Sequence, residues 1–189
     1  MVPRIPPTTA ADRDERAEEL LAGMMRRPDG TDMNLFATLA HHPKLLKRWA
    51  AFGATLLFGG SLPPRDRELL ILRTAWLCRA EYEWGQHVEL ARGAGVTDEE
   101  IERIYKDPSS PAWSDGERAL LAAADELHED SQISDPSWAT LAQSYDNQQL
   151  IEICMVVGQY HMVAFTLNSL GIEPEPGVTK FPSSARQNH

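Results

Sequence analysis

Apolar positions recur with the period of an α-helix along almost the whole chain. Over residues 43–58, Leu45, Leu46, Trp49, Phe52, Leu56 and Leu57 keep that period, and Gly59 with Gly60 ends it. Pro63 and Pro64 stand where a helix N-terminus tolerates proline. They predict a helix over 65–78 with Leu69, Leu70, Leu72, Ala75, Trp76 and Leu77 mostly on its apolar side. Another runs over 81–94, closed by Gly93 and Gly95. Earlier in the chain, Leu20, Leu21, Met24 and Met25 form a stripe within 12–27. Pro28-Asp29-Gly30 then makes a turn, and a short helix covers 34–41.

Local capping chemistry sets the later boundaries. Thr97 with Glu100, and Ser114 with Glu117, have the spacing of capping boxes and open helices to Tyr105 and Glu129. Asp135-Pro136 begins a helix to about Tyr145, and Asp146 with Gln149 caps the last one, over 147–170. That helix carries Leu150, Ile151, Ile153, Cys154, Val157, Phe165 and Leu167, apolar almost all round, which predicts a central element. No segment alternates like a half-buried strand, so strand content is expected near zero and the fold class is all-α, a single-domain helical bundle. Residues 1–11 read as an extended proline-rich arm and 12–172 as the domain. Residues 173–189 read as a polar tail, ordered against a partner or not at all.

Composition narrows the partners. At 189 residues the chain can bury a core without disulfides or a structural metal. A net charge of −10 leaves no basic face for nucleic acid or an anionic membrane. The first thirty residues lack the apolar core of a signal peptide, and the near-apolar run 49–60 is too short to span a bilayer. The expectation is a soluble, cytoplasmic protein. Cys78 and Cys154 lie in apolar helical patterns and read as free core thiols. The apolar surplus at Trp76, Trp84 and 150–167 exceeds what one small bundle buries, so a homo-oligomer is expected.

Glu83 and His87 stand one helical turn apart, and Glu68 precedes His87 by nineteen positions on a separate helix. Should burial outweigh the helix dipole, one carboxylate keeps a proton toward neutral pH and can act as acid while a neutral His87 acts as base. The plainer reading of Glu83 and His87 is a surface pair worth a few tenths of a kcal/mol. Two carboxylates and an imidazole could also hold iron or manganese, although the spacing is one residue longer than the Glu-x-x-His of carboxylate-bridged bundles. His41-His42-Pro43 offers either a metal site or a solvated helix junction, with no third ligand nearby in sequence. His161 reads as a hydrogen-bonded core residue or as a pocket wall.

The run Arg67-Glu68-Leu69-Leu70-Ile71-Leu72-Arg73-Thr74-Ala75-Trp76-Leu77, followed by Glu81-Tyr82-Glu83-Trp84-Gly85-Gln86-His87, resembles the carboxymuconolactone decarboxylase-like family, which includes the alkyl hydroperoxidase D branch. The match is strongest over 62–94 and looser over 158–165. It implies an all-α fold assembled into trimers or hexamers, with active sites close to subunit contacts. The peroxidase branch carries a glutamate, then Cys-x-x-Cys, then a histidine four residues after the second cysteine, forming a thiol relay. Glu68 and His87 match that glutamate and histidine, but the cysteine positions fall on Ala80 and Glu83. Two-cysteine peroxide reduction therefore lacks its nucleophile here.

The decarboxylase branch implies thiol-free acid–base chemistry on a small lactone, with no cofactor and no metal. On that reading Glu68, Glu83 and His87 are the candidate catalytic groups. Arg73 is either the cation that holds a substrate carboxylate or a helix-shaping partner of Glu68 or Asp66. Trp76, Tyr82, Trp84 and His161 are candidate substrate-binding residues. The expected substrate is a small lactone, enol or carbonyl compound. A non-catalytic ligand-binding or interaction oligomer is the alternative, followed by a peroxidase using Cys78 and an external thiol.

Overall fold

The computed structural model describes residues 2–27 and 29–182. Among these, the chain is all-α: a 3-10 turn at Ala10–Asp12 precedes α1 (Glu15–Ala22), α2 (Asn34–Leu39), α3 (Pro43–Phe58), α4 (Pro64–Leu77) and α5 (Glu81–Gly93). Then follow α6 (Asp98–Lys106), α7 (Asp115–Glu129), α8 (Asp135–Ser144) and α9 (Asn147–Leu170). The described residues contain no strand, only an isolated bridge between Arg26 and Asp32. Pro28 of the expected turn and the end of the tail, 183–189, lie outside the described residues.

The helix at the centre is α4. Its residues 68–75 are all buried, including Glu68 and Arg73, because α5, α6, α7 and α9 pack around it. Full burial of Leu69, Leu70, Ile71 and Leu72 contributes about 1.5–3 kcal/mol each. One core lies between α4, α7, α8 and α9 around Leu70, Ile71, Leu120, Leu141, Ile153 and Val157. A second lies between α4, α5, α6 and α7 around Leu69, Leu72, Trp84, Val88, Ile104 and Leu121.

The sequence points to α9 as the central element, and its position differs from that expectation. Leu150, Ile153, Val157, Tyr160, Ala164 and Leu167 face the core, whereas Ile151, Met155, Met162 and Phe165 are exposed. Cys154 is exposed as well, so only Cys78, half-buried, partly meets the expectation of core thiols. By length and composition α9 could cross a membrane, but half of its apolar window is packed inside the chain.

The caps form as the spacing predicts. Thr97 and Glu100 close the first turn of α6, Ser114 and Glu117 that of α7, and Asp146 and Gln149 that of α9. Gly171, at φ 67°, takes the left-handed conformation that ends α9. Arg65 at the start of α4 reaches both Glu100 (2.6 Å) and Glu117 (2.9 Å), joining three helix N-termini.

The first ten residues of the tail are ordered against their own chain rather than waiting for a partner. Glu175 is buried because three donors converge on its carboxylate: Asn34 N–H (2.7 Å), Tyr82 O–H (2.8 Å) and Gln86 Nε2–H (2.7 Å). The segment then crosses α5 so closely that a Cβ on Gly85 would lie 2.3 Å from the Thr179 carbonyl oxygen. Only glycine fits at that crossing.

Candidate active site

Successive helical residues turn by about 100°, so α5 presents different neighbours in different directions. Glu83 and His87 share the buried side toward α4 and α9, while Gly85 and Gln86 meet the C-terminal segment. From α4, Glu68 reaches His87: its Oε2 lies 2.7 Å from His87 Nδ1, and its Oε1 accepts from Arg67 Nε at 3.1 Å. With Nδ1–H directed at Glu68, the lone pair of the neutral ring belongs to Nε2, the nitrogen available as a base.

Tyr160 of α9 completes the group. Its ring meets the His87 ring edge-on, with centroids 4.8 Å apart. Burial first, then the charges of Glu68 and Glu83, push the Tyr160 hydroxyl well above its ordinary value, so both carboxylates act on this phenol. Glu83 itself is 2% exposed, and neither of its oxygens has a hydrogen-bond partner within the described chain. Burial alone drives its carboxyl well above the usual range. A carboxyl so placed keeps its proton where an exposed one has lost it.

The structure thus joins Glu68 to His87 and keeps Glu83 buried one turn from His87 on α5. It adds Tyr160, which meets the His87 ring, feels the charges of both carboxylates and is not singled out as a site residue by the sequence reading. The signal was a tyrosine three positions after Val157 on the buried stripe of α9. Arg73 is placed elsewhere. Its guanidinium donates to both oxygens of Asp125 (2.6 and 3.0 Å) and to the Ile104 carbonyl (2.9 Å), so neither a substrate carboxylate nor the expected partners Glu68 and Asp66 receive it.

The expected aromatic walls are also redirected. Trp76 and Trp84 pack with Tyr105 and Phe181 in the second core. Tyr82 gives its hydroxyl to Glu175. His161 lies with its Nε2 2.8 Å from His128 Nδ1 on α7. His42 caps α3 and His41 meets the Pro6 carbonyl, which fits the helix-junction reading of that pair.

Cys78, the C-cap of α4, has its thiol pushed up to about 12, by burial first and then by the charge of Glu83. Such a thiol carries little thiolate at neutral pH. A surface cleft of about 440 Å³ lined by Asp66, Ser114, Glu117 and Tyr145 includes none of the carboxylate–histidine group.

Comparison with solved structures defines the class. A peroxidase-related protein from Ralstonia eutropha JMP134, described as an alkylhydroperoxidase AhpD core, superposes with a TM-score of 0.80 at 17% identity, covering 93% of this chain and 94% of that one. A peroxidase-related protein from Silicibacter sp. TM1040 gives 0.78 at 15%, covering 94% and 96%. The debrominase Bmp8, in a variant bound to 2,3,4-tribromopyrrole, gives 0.75 at 17%, covering 91% of each chain. No curated protein matches the sequence. The fold is therefore that of the alkylhydroperoxidase D-like helical proteins. The model of the carboxymuconolactone decarboxylase family matches residues 43–126, which hold Glu68, Glu83 and His87. That stretch is similar to the carboxymuconolactone decarboxylase family, and it carries Ala80 and Glu83 at the two positions where the resemblance would put Cys-x-x-Cys. At a coarse level, that similarity fits a small-molecule acid–base enzyme.

Proposed function

We propose that this protein is a cofactor-independent acid–base enzyme that moves a proton on a small lactone, enol or carbonyl compound, by isomerisation or decarboxylation. The observation that carries the reading is Glu83: a buried carboxyl with no hydrogen-bond partner in the described chain, one turn from His87 on α5, whose ring Glu68 of α4 meets. In isomerisation, His87 Nε2 removes a proton from the carbon beside the carbonyl, and the C–H electron pair passes into the enolate. Glu83 then returns a proton at the new position, while Glu68 holds the imidazole by Nδ1. In decarboxylation, the C–C bond to the departing carbon dioxide supplies the electron pair and Glu83 protonates the carbon left behind. With Arg73 committed to Asp125, isomerisation of a neutral compound is favoured over a reaction that needs an arginine clamp on a substrate carboxylate.

The test is a screen of small lactones, enols and β-keto acids against wild type and His87→Ala. Turnover by wild type that collapses in the variant supports the reading. Ligand binding without turnover would make the protein a binding module instead. Hydroperoxide reduction abolished by Cys78→Ser would make it a peroxidase.

The working form belongs to the proposal as a homo-oligomer in the cytoplasm, a trimer or hexamer. Leu45, Phe52 and Phe58 on α3, with Ile151, Met155, Met162 and Phe165 on α9, leave exposed apolar side chains that a second copy would cover. Light scattering at micromolar concentration should give a multiple of 21.1 kDa. Ile151→Glu with Phe165→Glu should reduce that mass, and a monomeric wild type would overturn the expectation.

A further inference from the structure

We infer that Cys78, His128 and His161 form a binding site for a late first-row divalent cation, with zinc as the best-matched ion. The three residues come from three elements: the C-cap of α4, the last turn of α7 and the middle of α9. Their ligating atoms all lie within 4.8 Å of one another. His128 Nδ1 is 2.8 Å from His161 Nε2 and 3.9 Å from Cys78 Sγ. In a tetrahedral zinc site, bond lengths of about 2.1 Å to nitrogen and 2.3 Å to sulfur set donor separations of roughly 3.3–3.6 Å. The observed gaps bracket those values, and His128, exposed to solvent, is the ring with room to adjust.

The surroundings suit a metal as well. His161 places its Nδ1 2.8 Å from the Val157 carbonyl, which fixes the tautomer and leaves the Nε2 lone pair aimed into the triad. A ligating histidine is commonly oriented in this way by a backbone carbonyl. The Cys78 carbonyl accepts from Asn168 Nδ2 at 2.8 Å, which anchors the cysteine to the helix that carries His161. One thiolate and two imidazoles suit zinc better than magnesium or calcium, which prefer oxygen. Three protein ligands leave a fourth position for water on the exposed side. On binding, Cys78 exchanges its S–H bond for a sulfur–metal bond and the proton passes to solvent. The inference departs from the sequence reading, in which no metal is expected and His161 is a core residue or pocket wall.

The plainer reading is a His128–His161 hydrogen bond beside a half-buried thiol, and calorimetry separates the two. The untagged full chain, stripped of metal, is titrated with Zn²⁺. Binding of one ion per chain is expected, weakened by roughly tenfold or more in Cys78→Ala and in His128→Ala and unchanged in His42→Ala. Because His128 is exposed, its removal leaves the core intact and keeps the test free of misfolding. With Co²⁺ the wild type should show tetrahedral d–d bands and a thiolate charge-transfer band that Cys78→Ala abolishes. Absence of saturable binding, or binding indifferent to both ligand variants, overturns the site.

Discussion

Replacing Glu83 by glutamine lowers turnover by roughly two to four orders of magnitude, the usual contribution of general acid–base catalysis. Glutamine keeps the shape and the polarity but cannot give and regain a proton. The loss should fall on kcat and on kcat/KM alike, because the group acts in the transition state more than in substrate binding. His87→Ala should be similarly impaired, since it removes the Nε2 base. Arg73, held by Asp125 and the Ile104 carbonyl, contributes to the fold, so kinetic loss should be confined to the buried group. The measurement is steady-state kinetics on whichever substrate the screen identifies, with far-ultraviolet circular dichroism to show that the variants are folded. Less than about a tenfold loss in both Glu83→Gln and His87→Ala would place the chemistry elsewhere.

The helices were legible because their signals are local. Thr97 and Glu100, or Asp146 and Gln149, meet across a single turn, so their side chains carry the boundary within four residues. The Glu83–His87 spacing was legible for the same reason. The partner of Arg73 was not, because Asp125 lies 52 positions away and only the packing of α7 on α4 brings it near. Trp84 was misread through adjacency: a neighbour of Glu83 in sequence is turned about 100° away on the helix, and so it faces the second core. A helix apolar all round cannot disclose whether its second face meets more of its own chain or stays exposed, which is why α9 read as the centre. The polar tail concealed Glu175, whose role depends on donors from Asn34, Tyr82 and Gln86.

A change from Glu83 to methionine should make the protein more stable while abolishing the proposed activity. Methionine has nearly the length and volume of glutamate and no group that needs a hydrogen bond, so it suits a site where neither carboxyl oxygen finds one in the chain. Leaving a buried polar group unpaired costs about 1–3 kcal/mol, and that cost disappears in the variant. In a chain of this size each kcal/mol raises the unfolding midpoint by about 2–4 °C.

The sign with pH follows from the raised carboxyl of Glu83. Unfolded, the group titrates near its ordinary value of about 4.3, whereas the folded protein holds the proton to higher pH. Between the two values the native state binds more protons, so this residue's contribution to stability falls as pH rises and levels off once the folded group has ionised. The advantage of Glu83→Met over wild type should therefore be smallest in mild acid and widen toward neutral and alkaline pH. Urea denaturation of both proteins across that range measures the difference. A variant less stable than wild type at every pH would mean that Glu83 supports the fold through its charge, and the proton that the proposed chemistry requires would not be there to give.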